Sequence, residues 1–156
     1  MSGWFADHIT WRSGDITLSL RDDEFADIAY RGRVILRSVR AVVRDRNWDT
    51  APLIVDGVDG ADGSLVVAVH SDALGSSFRG TVRVDVHRGG ASTDGDGAQE
   101  TTRVAVSCDL RSTEPFATNR TGLVVLHPPH VAGAALDVRH ADGSVDSLTF
   151  PDTISP

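Results

Sequence analysis

Val82-Arg83-Val84-Asp85-Val86-His87 sets three valines on one side of an extended backbone and three polar side chains on the other. That period of two is the signature of a strand with one buried face. The alternation recurs in both directions along the chain. Ile16, Leu18 and Leu20 alternate with Thr17 and Ser19, and Val104, Val106, Cys108 and Leu110 alternate with Ala105, Ser107 and Asp109. Between the runs stand Asp22-Asp23, Asp62-Gly63 and Asp142-Gly143, residues that tolerate the positive φ of tight hairpins. The pattern predicts strands over 6–11, 14–20, 25–30, 33–44, 52–58, 64–70, 78–88, 101–110, 122–127, 134–140 and 144–150. No segment shows helical periodicity. Regular strand spacing and β-branched content predict an all-β fold, an antiparallel β-sandwich whose two sheets bury their inner faces against each other. An immunoglobulin-type sandwich is not indicated, because a single cysteine, Cys108, cannot form its disulfide.

The 156 residues match one domain, read here as a single β-sandwich over 1–156. The polar, glycine-rich stretch Gly89-Gly-Ala-Ser-Thr-Asp-Gly-Asp-Gly97 is too poor in apolar side chains to repay ordering and predicts a mobile hairpin loop over 89–100. Its Asp94 and Asp96 do not complete the spaced oxygen ligands of a calcium loop. Lys+Arg 15 against Asp+Glu 22 leaves a net charge of −7, and the basic side chains are arginines. That balance argues against nucleic-acid and anionic-membrane partners. Apolar runs are far shorter than a bilayer requires, and Met1-Ser2-Gly3-Trp4 lacks the basic and apolar regions of a signal peptide, so a cytoplasmic location is expected. Cys108 lies on an alternating apolar run and reads as a small buried hydrophobe.

Phosphate-loop, nucleophile-elbow and zinc-helix signatures are missing, and no cofactor is expected. What remains is a pair of polar clusters, each joined to an apolar run. Arg44-Asp-Arg-Asn-Trp48 follows Val39 to Val43; Asn119-Arg-Thr-Gly122 precedes Leu123 to Leu126, which leads into His127-Pro-Pro-His130. Sheets put such clusters at their rims. Guanidinium forks grip carboxylates bidentately and an indole stacks on C–H faces. Arg44, Arg46, Trp48, Arg120 and His127 are therefore the candidate ligand-binding residues for a sugar or sugar acid. On a continuous strand Asp45 points away from Arg44 and Arg46, which then share a face. Either an acid such as Glu114 neutralises them, the commoner arrangement, or they form an oxyanion site. Trp48 is more often a core cap than a stacking platform. His127 and His130 flank a Pro-Pro pair that forces an extended backbone, and no third ligand accompanies them, so no metal is expected. Asn119-Arg120-Thr121 fits a glycosylation sequon, but nothing marks the chain as secreted.

Three segments carry a family resemblance: Arg37-Ser-Val-Arg-Ala-Val-Val-Arg-Asp-Arg-Asn-Trp48, Asn119-Arg-Thr-Gly-Leu-Val-Val-Leu-His-Pro128, and His140-Ala-Asp-Gly-Ser-Val-Asp-Ser-Leu-Thr-Phe-Pro-Asp-Thr-Ile-Ser155. In order and spacing they resemble the N-terminal β-rich region of the D-apionate lactonase family, bacterial proteins of branched-pentose catabolism. The architecture has a looser likeness to the sandwiches of the galactose mutarotase group. In the lactonase family the β-rich region continues and is followed by a barrel-type and a further C-terminal domain. The resemblance therefore implies a non-catalytic module of sugar-acid metabolism, with a sandwich incomplete at its C-terminus. Two other readings stay open. One is a small lactonase or epimerase with His127 as general base, although no acidic partner for that histidine is visible. The other is an assembly module that self-associates, or pairs with a catalytic chain, through an exposed edge strand.

Overall fold

The computed structural model of the protein describes residues 9–89 and 102–153. The loop expected over 89–100, its two aspartates and the start of the strand expected at 6–11 lie, apart from Gly89, outside the described residues. The strands are β1 (Ile9–Ser13), β2 (Ile16–Arg21), β3 (Glu24–Tyr30), β4 (Arg33–Asp45), β5 (Thr50–Ala51), β6 (Ile54–Ala61), β7 (Ser64–Ser71), β8 (Phe78–Arg88), β9 (Thr102–Ser112), β10 (Thr118–Leu126), β11 (Ala135–Arg139) and β12 (Val145–Thr149). A single 3-10 turn, Pro129–Val131, is the one helical element among the described residues. The chain divides into two compact units, the first ending at Leu126 and the second beginning at His127.

The first unit is an antiparallel sandwich. One sheet has the order β1-β2-β3-β4-β10, with β5 paired to β4, and the other has four strands in the order β6-β7-β8-β9. Each alternating run sends its apolar side chains inward. Ile16, Leu18, Leu20, Phe25, Ile28, Val39 and Ala41 of the first sheet meet Leu65, Val67, Val69, Val82, Val84 and Val86 of the second in one buried cluster. Cys108 is half-buried against that cluster. The hairpin turns fall where the aspartates and glycines predict them, with positive φ at Asp22 (49°) and Gly63 (85°).

A polar clasp joins the two sheets at one end. The Ser13 hydroxyl, 1% exposed, donates to Asp62 Oδ1 at 2.7 Å and accepts from the Gly63 amide at 3.0 Å and from Arg88 Nη2 at 2.8 Å. Trp11 Nε1 donates to the Ala61 carbonyl nearby, at 3.1 Å. A buried hydroxyl with every partner satisfied holds its loops in one arrangement.

The second unit contains the 3-10 turn and the hairpin β11–β12, in which Leu136 faces Leu148 and Val138 faces Asp146. Gly143, at φ 88°, makes its turn. Val145 and Leu148 are 46% and 54% exposed.

Strand ends differ from the sequence reading by a few residues in most elements, and three differences bear on the site. β4 ends at Asp45, β10 begins at Thr118 rather than at 122, and the two-residue strand β5 was not anticipated. The first and third have one cause: the chain turns back sharply after Asp45. The second arises because Asn119, Arg120 and Thr121 have the polarity of a loop, yet β10 borders the sheet and exposes them as an outward strand.

Candidate functional site

β4 carries Val39, Ala41 and Val43 on its core face, so Ser38, Arg40, Val42 and Arg44 line the outer face. β10 pairs antiparallel with β4 and sets Arg120 directly opposite Arg44, Gly122 opposite Val42 and Val124 opposite Arg40. A register shift between Thr118 and Arg120 brings this about: Thr118 faces Asp45, Arg120 faces Arg44, and Asn119 is the extra residue. Bulges of this kind re-aim side chains at sheet rims. Thr118 Oγ1 secures the seam by donating to the Arg44 carbonyl at 2.8 Å.

The loop after β4 delivers Trp48. Asp45 Oδ1 accepts from the amides of Asn47 (2.8 Å) and Asp49 (2.9 Å), an aspartate-capped turn. Trp48 N donates to the Asp45 carbonyl, and Trp48 itself sits at φ 71°. A left-handed conformation is rare for a bulky side chain and marks a position held by its surroundings. The indole is 52% exposed, with the Arg44 guanidinium carbon 5.9 Å and the Arg120 guanidinium carbon 5.6 Å from its ring centroid. Both cations thus lie within cation–π range of one ring.

This arrangement decides between the readings left open by the sequence. Arg44 and Arg46 do not share a strand face, because the strand stops at Asp45 and Arg46 lies in the turn. Glu114 neutralises neither arginine; its carbonyl instead accepts from Ser112 Oγ. Trp48 is not a core cap but an exposed platform beside two cations. Arg46 borders a different hollow, about 350 Å³, with Asn47, Leu74 and Phe116. Arg44, Trp48 and Arg120 come together, whereas His127 belongs to the second unit, where its ring packs against Phe150 at 4.6 Å between centroids.

The electrostatics of the cluster are unbalanced. Several other arginines have carboxylate partners: Arg40 Nε lies 3.0 Å from Asp23 Oδ2, and on the other sheet Arg83 pairs with Asp85 and Arg88 with Asp62. Arg44 and Arg120 pair with no carboxylate among the described residues. Like charges directly across a strand pair repel. Moreover, Arg44 Nε is buried and has no acceptor, a costly state for a charged donor. Arg44 also lines a hollow of about 290 Å³ with Glu24, Arg40, Val42, Thr50 and Val124, and Glu24 forms no ion pair with it. Within this hollow Arg40 is the neutralised cation. The carboxyl of its partner Asp23 is raised above its ordinary value by burial, against the pull of Arg40.

The sequence reading missed Val42, Val124 and Thr118. Their signal was present in the register, since apolar residues on the outward face of β4 and β10 line up with the two arginines.

Fold and cluster together define a class: an antiparallel β-sandwich module with a cationic, aromatic rim on its larger sheet. Within that class, this chain belongs to the family described as D-apionate lactonase, N-terminal domain, which matches residues 4–156. It is 32% identical over 149 residues to a D-apionate lactonase of Brucella anthropi, an alignment covering 93% of this chain and 23% of that protein. The chain thus spans about a quarter of the length of that curated relative. No solved structure matches it. No helix among the described residues is long and apolar enough to cross a membrane.

Proposed function

We propose that this chain is a ligand-binding, non-catalytic β-sandwich module of sugar-acid metabolism, and that Arg44, Trp48 and Arg120 bind an oxyanion-bearing sugar acid. One observation carries the reading: two arginines stand directly opposite each other across β4 and β10, both beside one indole and neither paired with a carboxylate among the described residues. An anion held by the exposed ends of both forks relieves the repulsion, while the indole covers the carbon chain. Family membership supports the chemistry, since the relative is named for a sugar acid and its lactone. The test is titration of the purified chain with D-apionate, followed by the Trp48 indole N–H resonance. Saturable shifts that vanish in Arg120→Gln, with the fold retained, are expected. Shifts of equal size in the variant place binding elsewhere and defeat the proposal.

A second reading, an assembly surface, is favoured by the hairpin β11–β12, which leaves Val145 and Leu148 exposed. Apolar side chains on a two-stranded sheet gain stability by being covered.

A further inference from the structure

We infer that the Arg44–Trp48–Arg120 cluster selects the ring-opened acid over the lactone, which makes it a site for the product side of lactone chemistry. This rests on the oxyanion reading above and adds a choice between two forms of one sugar. Opening a sugar lactone adds water at the acyl carbon and breaks the acyl–oxygen bond. The ring oxygen leaves as a hydroxyl and the new acid releases a proton at neutral pH. The two forms share their carbon skeleton and differ by one negative charge.

The cluster is built to read that charge. Arg44 and Arg120 are cross-strand partners, so their forks project from neighbouring points on one face. A carboxylate offers both oxygens to two forks and neutralises the excess charge. A lactone has one good acceptor, its carbonyl oxygen, and no charge. Trp48 packs equally well on either skeleton and contributes affinity without choice. Two of the neighbouring polar groups are committed to the backbone. Asp45 caps its turn through two backbone amides, and the Thr118 hydroxyl donates to the Arg44 carbonyl. The cluster's guanidiniums stay protonated and offer donors only, so the arginines hold an anion rather than drawing a proton from water.

Calorimetric titration of the full chain with D-apionate, its lactone and its primary amide separates the possibilities, the amide being an open-chain analogue without charge. The expected result is that D-apionate binds at least about tenfold more tightly than either neutral form, equivalent to about 1.4 kcal/mol. The preference should shrink as ionic strength rises from about 0.01 M to about 1 M. Arg120→Gln and Arg44→Gln should lose the preference while circular dichroism shows the parent fold. If the lactone or amide binds as tightly as the acid, and Arg120→Gln still abolishes binding, the selectivity is refuted and the binding site stands. If folded protein binds none of the three at millimolar concentration, the site falls and the selectivity with it. A preference that persists in both variants assigns the acid to another surface and overturns both.

Discussion

Trp48 concentrates two opposing effects in one residue. Its left-handed backbone, φ 71°, costs a non-glycine residue about 1–2 kcal/mol. Its ring recovers part of that through two exposed cation–π contacts of about 0.5–1 kcal/mol each. Trp48→Gly removes both and should leave the melting temperature within about 4 °C of the parent, while weakening D-apionate binding at least about tenfold. A calorimetric scan and a titration on the same sample check the two halves. A large loss of stability would mean that the indole holds the loop together. The convergence of Arg44, Trp48 and Arg120 was legible because both clusters adjoin apolar runs, and strand ends gather at rims. The part played by Arg46 was not legible from alternation alone. Asp45 caps a turn through backbone amides, and a carboxylate that stops a strand looks in sequence like one that continues it.

At the level of strands and their connections, the Ser13 clasp and the β8–β9 pairing carry the sharpest expectations. Ser13→Ala leaves the Gly63 amide, Arg88 and Asp62 short of a partner and should cost about 1–3 kcal/mol in denaturant unfolding. Gly80 permits a close approach of β9: a methyl group there would meet the Asp109 carbonyl oxygen at 1.9 Å. Gly80→Ala should therefore cost about 1–3 kcal/mol by overpacking. The clasp also sets a pH dependence. Hydrogen bonds from Ser13, then Arg88, hold the Asp62 carboxyl below its ordinary value of 3.8. Its contribution is thus fully present above pH 3.8 and is lost as pH falls through the depressed folded value. Asp23 has the opposite sign: burial raises it, so the stability it contributes declines as pH rises from 3.8 through its folded value. Carboxyl NMR titration should place the Asp23 midpoint above that of Asp62, and the reverse order would contradict the burial argument. Most strands were legible because one face of each is buried, which imposes the period of two. β5 escaped because two residues cannot display a period, and the first residues of β10 escaped because their side chains are polar and exposed.

At the scale of the whole chain, the first unit has a two-sheet core, whereas the second contains a hairpin with Val145 and Leu148 in solvent. On the assembly reading, sedimentation over a dilution series should show reversible self-association, and Leu148→Asp should shift the chain toward monomer. A monomer at high concentration, unchanged by that substitution, contradicts the reading. The strand order of the first unit has a kinetic meaning as well. β10 pairs with β4 only after β5 to β9 have intervened, and the Thr118–Arg44 bond spans 74 residues of sequence. Closing so long a loop is slow, and such contacts form late. The two arginines lie on opposite sides of that seam, so the proposed binding site is complete only once the seam has closed. On the proposed function, an anion held by both arginines acts as a latch on the last strand to dock. It should slow unfolding while leaving the refolding rate unchanged.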